Sequence, residues 1–292
     1  MTLYWPAFEF NFRVDVAQLL PHIAAIEACR AAASTRIRPP QWRERPVLET
    51  EALPDTPAET DLLDQIALRK MQLLITNASR AQAWVRRRFT PGAPPPSLED
   101  VFTMHRMAAE ESGIRYDSAG TFRQGGVVVV VGTAEVGYHA GAPAARLPAL
   151  MRQYLQFVNG PLLISMPPAI HALVAHFFFT AIHPFDDGNG RVPRLISAAI
   201  LFQRGYNGHG FYALFNYFYE NELRYHAVLQ EALRHPYFDL TSFLAFGMAG
   251  MALELQGINN FLKVKVNRSV DQTHIRDRSR RAHYKRRLHL CR

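Results

Sequence analysis

The chain has 292 residues, 48% of them hydrophobic and 11% aromatic, which is enough apolar material for one large or two small packed domains and excludes a wholly disordered chain. Its net charge of +8 suggests a polyanionic partner until the charges are located: eleven Lys and Arg stand against Asp271 and Asp277 between Lys263 and Arg292, so the remainder is close to neutral. The longest apolar stretches, Ala169 to Ile182 and Phe243 to Leu255, are too short to span a bilayer. They read as buried core helices.

In chain order, "VAQLLPHIAAIEACRAAA" from Val16 carries helical spacing, with Pro21 expected near a first turn or kink. Four prolines between Arg36 and Pro54, and a fifth at Pro57, mark a linker or wrapped loop. A long helical pattern covers about Asp61 to Arg88 and ends at "TPGAPPP", after which Ser97 caps "LEDVFTMHRMAAEE". "TFRQGGVVVVVGTAEVGYHA" is the one β segment, with β-branched residues bounded by glycines and two runs close enough for a hairpin. Helices are then predicted at about Ala145 to Phe157, Pro168 to Ile182, Arg191 to Arg204, Tyr217 to Arg234 and Leu240 to Leu262. No repeat of fixed period is present. The N-terminus has neither the basic start nor the apolar run of a signal peptide, and Cys29 and Cys291 make no disulfide framework. A cytoplasmic location is therefore expected, with secretion as an effector left open. The basic tail is expected to be a solvated terminal helix rather than a nucleic-acid module, because no aromatic platform accompanies its charges.

"HPFDDGNGR", His183 to Arg191, leaves the apolar helix in a way that needs a chemical explanation. Gly188, Asn189 and Gly190 place unobstructed backbone N–H groups at the start of the next helix, an anion cradle. Arg191 and Arg194, three apart in the first turn, can both reach an anion held there, which suits a polyphosphate. Pro193 is harmless where first-turn N–H groups lack intrahelical partners. Asp187 offers a hard oxygen ligand for Mg²⁺ beside those phosphates, and His183 a base titrating near neutral pH. Each piece alone has an ordinary reading: His183 as a helix cap, Gly-Asn-Gly as a turn, Asp186 and Asp187 as an N-cap and a solvated neighbour. His171 and His176 are read as core residues, since five-residue spacing does not align them for a metal.

"HPFDDGNGRVPR", His183 to Arg194, resembles the signature of the Fic family at every fixed position. "AGTFRQGGVVVVVG" resembles that family's flap, "FYENELRYHAVLQEAL" the helix closing its nucleotide pocket, "DLTSFLAFGMAGMALELQGI" its C-terminal helix and "YWPAFEFNFRVDVAQLLPHI" an N-terminal extension. The resemblance implies a mainly α fold, a helical bundle with one β-hairpin flap over the active site. It implies an N-terminal helical extension over 1–96, a core domain over 97–236, a packed C-terminal helix over 237–262 and the basic tail over 263–292.

The resemblance implies a protein AMP-transferase moving AMP from ATP to a Ser, Thr or Tyr hydroxyl. His183 would be the base, Asp187 would hold Mg²⁺, and Gly188 to Gly190 with Asn189 would bind phosphate oxygens. Arg191 and Arg194 would neutralise the β- and γ-phosphates. Phe185 would anchor the loop, Asn221 and Tyr225 would approach the adenosine, and Glu222 stands where relatives usually have arginine. A target protein would dock by strand addition along Val127 to Val131. Relatives often restrain themselves with Ser or Thr, three residues, Glu, then Gly or Asn. No such pattern occurs here, and in "TNASRA" Arg80 takes the glutamate's place. A separate inhibitory protein could supply that glutamate, and AMP removal, which uses it in relatives, is not expected as the main activity. Two alternatives stand beside this reading: the same fold with another nucleotide or phosphocholine as donor, and a catalytically silent binding protein acting through its basic tail.

Overall fold

The computed structural model describes residues 8–34, 76–109, 118–124, 130–206, 214–234, 237–260 and 263. The proline-rich stretch, the basic tail beyond Lys263, the first part of the Asp61 to Arg88 pattern and Val127 to Val129 of the flap lie outside the described residues. The described helices are α1 (Val16–Ser34), α2 (76–88), α3 (Leu98–Ala109), α4 (Leu147–Val158), α5 (Pro161–Ser165), α6 (Pro168–Ile182), α7 (Arg191–Gln203), α8 (Leu214–Glu220), α9 (Glu222–Arg234) and α10 (241–260). One antiparallel hairpin, β1 (Val130–Thr133) and β2 (Gly137–Ala140), pairs Val130 with Ala140 and Thr133 with Gly137. The architecture is mainly α with a two-stranded hairpin, as the sequence predicts.

The fold is organised around α6. Its apolar residues do not keep to one face, and every residue from Ala169 to Ile182 is buried. A helix that is hydrophobic all round must be covered all round. Accordingly α4, α5 and α7 pack on it. α10 crosses it where Gly247 meets Leu173: a β-carbon at 247 would lie 2.6 Å from Leu173 Cδ2, so only glycine permits this approach. A further face is closed by the N-terminal segment, where Phe8, Phe10 and Phe12, every second residue, ring Phe178 at 5.3–6.3 Å between centroids. That segment is tied to the entry of α10 by an isolated bridge, with Arg13 N–H on the Phe238 carbonyl at 3.2 Å and Leu240 N–H on the Arg13 carbonyl at 3.0 Å. Asp15 then caps α1 through the Ala17 N–H at 3.0 Å.

Several boundaries differ from the sequence reading for physical reasons. Pro21 lies inside α1, beyond its first turn, and the helix continues through it. The proline only deprives Ala17 of a donor on a helix whose neighbouring face, at Leu19 and Ile26, is held by burial. The helix predicted over Tyr217 to Arg234 is two, divided at Asn221, whose side-chain Nδ2 and backbone N–H both donate to the Tyr217 carbonyl, at 2.9 and 3.1 Å. α5 was too short to leave a periodic signal. Ser97 caps α3 as expected, within a reciprocal box: the Asp100 N–H donates to Ser97 Oγ at 3.2 Å, and the Ser97 N–H to Asp100 Oδ2 at 2.9 Å.

Candidate functional site

The loop from His183 to Gly190 joins the two most intimately packed helices, α6 and α7, and its carbonyls are held from below. His183 closes α6 in the left-handed region, φ 55° and ψ 62°, with its N–H on the Phe179 carbonyl at 3.0 Å. A side chain there is strained, so the turn needs outside support. Arg123 supplies it. This buried residue donates through Nε to the His183 carbonyl at 2.9 Å, through its N–H to the Pro184 carbonyl at 3.0 Å, and through Nη2 to the Ala142 carbonyl.

His105, on α3, holds the middle of the loop. It is 1% exposed and stacks on Phe185 with centroids 3.8 Å apart and planes within 5°. The Gly120 N–H donates to His105 Nδ1 at 2.9 Å, so that nitrogen is the acceptor, and Nε2–H donates to the Asp187 carbonyl at 3.0 Å. Burial pushes its imidazole down to about 4, so the ring is neutral at physiological pH.

Asn189 is the third brace. Its Oδ1 accepts the Phe185 N–H at 2.9 Å and its Nδ2 donates to the Phe185 carbonyl at 2.7 Å, with the residue 4% exposed. The side chain expected among the phosphate contacts is thus turned inward as a strut. Gly188 is itself buried and takes φ +84°, and its carbonyl is occupied by the Arg191 and Val192 N–H groups at 3.0 and 2.9 Å, while Gly190 beyond it is exposed. The Gly188 N–H points to the Asp187 carboxylate. With the Arg191 and Val192 N–H groups spent on that carbonyl, the N–H groups that could meet an anion at the start of α7 are those of the Gly188 to Gly190 turn, whose neighbouring Asp187 and Gly188 carbonyls are sequestered.

Around that cradle, Arg191 Nη2 pairs with Asp187 Oδ2 at 2.9 Å, and its Nη1 donates to the Ala108 carbonyl at 2.5 Å. Arg194 lies deeper. Burial lowers its pKa from the usual arginine value, and Tyr225 and Glu222 work against that shift. Tyr225 is not on an open pocket wall. Its ring stacks on Phe218 and its hydroxyl pairs with buried His176 Nε2 at 3.0 Å, so the residue is packed into the core. Asn221 spends its amide donor on Tyr217 at the α8–α9 break. His171 and His176 are core residues, held down to about 4 and about 3 by burial.

His183 itself is neutral at pH 7. Burial is the main cause of its fall to about 4; the Thr180 carbonyl and Asp187 pull upward, while His139 and Arg123 push further down. Its Nδ1 is sealed from solvent, leaving Nε2 as the ring nitrogen for a substrate. Among the described residues no group of three or more His, Cys, Asp or Glu could hold a metal. Asp187 alone, with its side chain 58% exposed beside the cradle, fits an ion such as Mg²⁺ that takes one carboxylate and completes its shell with phosphates and water. A cavity of about 320 Å³ between Phe102, Phe122, Ala144 and Pro148 is lined by none of these loop residues.

His105, Arg123, His139 and Gln230 had no functional signal in the sequence. The partners of His105 and Arg123 in the loop lie 82 and 60 residues away. His139 on β2 is joined to Gln230 on α9 at 3.1 Å, which docks the hairpin on that helix.

Fold and loop together define a mainly helical domain with a braced, glycine-rich turn where a buried helix ends and the next begins. Residues 95–201 match the Fic/DOC family, and the chain carries a domain of that family. It is 31% identical over 110 residues to protein adenylyltransferase Fic of Drosophila ananassae, covering 38% of this chain and 20% of that protein. To the protein of the same name in Aedes aegypti it is 27% identical over 143 residues, 49% of this chain and 23% of that one. The chain thus spans about a fifth of the length of these relatives. Residues 134–508 of Fic-1 from C. elegans share the fold with a TM-score of 0.56 at 15% identity, covering 84% of this chain and 74% of that one. A Fic family protein from Desulfovibrio desulfuricans does so at 0.52 and 19%, covering 84% and 64%.

Proposed function

We propose that this protein is an AMP-transferase acting on protein hydroxyls. The observation that carries the reading is a neutral imidazole, His183, at the mouth of an N–H cradle that has Arg191 and Arg194 in the first helical turn behind it. Relatives named protein adenylyltransferase support it.

In this reading ATP lies with its phosphates along the Gly188 to Gly190 backbone. Arg191 leaves its ion pair with Asp187 to join Arg194 on the β- and γ-phosphates. Asp187 would then hold Mg²⁺, which when bound supplies charge neutralisation at the phosphates. The target's hydroxyl oxygen attacks the α-phosphorus, its proton passes to His183, and the bond from that phosphorus to the pyrophosphate oxygen breaks. Displacement of this kind asks for positioning and charge neutralisation rather than covalent help. A polyanion beside His183 also raises its proton affinity from its depressed value, bringing the base nearer to neutral pH when substrate is present. The target segment adds to the edge of β1 that β2 leaves unpaired, including Val130 and Val131.

The test is incubation with Mg²⁺ and ATP labelled at the α-phosphate, with His183→Ala in parallel. Label on the protein or on lysate proteins that disappears in the variant is the expected result. No label with ATP, but label from another nucleotide or from CDP-choline, would move the reading to a different donor.

A further inference from the structure

We propose that His105 is a positioning residue that fixes which way the Asp187–Gly188 peptide points, and so keeps an N–H rather than a carbonyl facing the anion cradle. The carbonyl and N–H of a trans peptide point in opposite directions. With the Asp187 carbonyl drawn to His105 Nε2–H at 3.0 Å, the Gly188 N–H is turned to the other side, where the Asp187 carboxylate now receives it. A carboxylate oxygen on that N–H is what a phosphate oxygen would replace.

Such a peptide needs a lock. Gly188 sits at φ +84° without a β-carbon, so rotation of the preceding peptide is cheap, and a rotated peptide would present a carbonyl to an incoming anion. The lock has a defined handedness, because the Gly120 N–H occupies His105 Nδ1 at 2.9 Å and leaves only Nε2 to carry the proton. Contact is close on the same side: a β-carbon at 188 would lie 3.0 Å from His105 Cδ2. Through its two nitrogens the ring also ties the segment entering the flap to the phosphate loop. Stacking on Phe185 is a separate duty, which a phenyl ring could perform as well.

This inference rests on the anion-binding part of the proposed function, and its test separates the two. Three variants divide the roles of the ring: His105→Phe keeps the stack alone, His105→Asn reaches only as far as Nδ1 toward Gly120, and His105→Gln reaches as far as Nε2 toward Asp187. Binding of inorganic tripolyphosphate is measured by calorimetry beside thermal melting. Phe and Asn variants that are folded but bind about tenfold or more weakly, with the Gln variant near the wild type, are the expected result. Equal binding by all variants, or equal loss in all three, overturns the proposal. A crystal structure of His105→Asn reads the peptide directly, and an unrotated Asp187–Gly188 peptide overturns the proposal whatever the calorimetry shows. Wild-type protein that ignores tripolyphosphate while that peptide rotates in the variant fails the AMP-transfer reading and leaves this one standing.

Discussion

Asn189 and Phe185 hold each other by two hydrogen bonds across the loop, 2.9 Å from the Phe185 N–H to Oδ1 and 2.7 Å from Nδ2 to the Phe185 carbonyl. One buried amide thereby closes the turn that presents the Gly188 to Gly190 backbone. Asn189→Ala leaves two buried backbone groups unpaired and should destabilise by about 1–3 kcal/mol. Asn189→Asp should cost more, since a carboxylate facing the Phe185 carbonyl repels it. Urea unfolding of the two variants checks the order, and AMP transfer should fall in both.

Arg123 carries three bonds to three carbonyls, and losing its side chain strips the donors from His183 and Ala142 together. Arg123→Ala is expected to destabilise by about 3 kcal/mol. Arg123→Lys should recover little, because a single ammonium cannot span both carbonyls as a planar fork does. The check is the unfolding midpoint, together with amide exchange at His183, whose left-handed turn should open first.

His171 and His176 set an acid limit on stability. Both are buried and held well below 6.5, at about 4 and about 3, with burial the leading cause. The unfolded chain binds their protons first, so the stability from keeping them neutral is complete above pH 6.5 and is lost as pH falls toward 4. The slope in that window should be up to about 1.4 kcal/mol per pH unit for each histidine. His171→Asn should flatten the stability–pH curve between 6.5 and 4 relative to the wild type, and an unchanged curve would refute the assignment.

In the proposed unrestrained transferase, a carboxylate at position 80 is expected to act as the restraint that Arg80 replaces. Arg80 is exposed on α2, so Arg80→Glu is expected to fold normally. It should lower AMP transfer about tenfold or more, a barrier increase near 1.4 kcal/mol. Arg80→Ala, which adds no acid, should leave transfer unchanged.

Much of this protein was written in local sequence. The unbroken apolar run of α6, the Ser97 cap and the β-branched hairpin are near-neighbour patterns, and each element formed where its pattern lay, because burial and capping act over a turn or two. The glycine turn at Gly188 and the start of α7 at Arg191 were legible for the same reason: a turn and the helix start that follows it lie within a few residues. Tertiary structure decided the rest. Asn189 faces inward and the Tyr225 hydroxyl meets His176, because what a polar side chain does depends on which buried group is left needing a partner. His105 and Arg123 became supports of the loop only when α3 and the flap segment folded against it. Hydrogen bonds across 82 and 60 residues have no periodicity to betray them, since the partners meet only after the core has closed around α6.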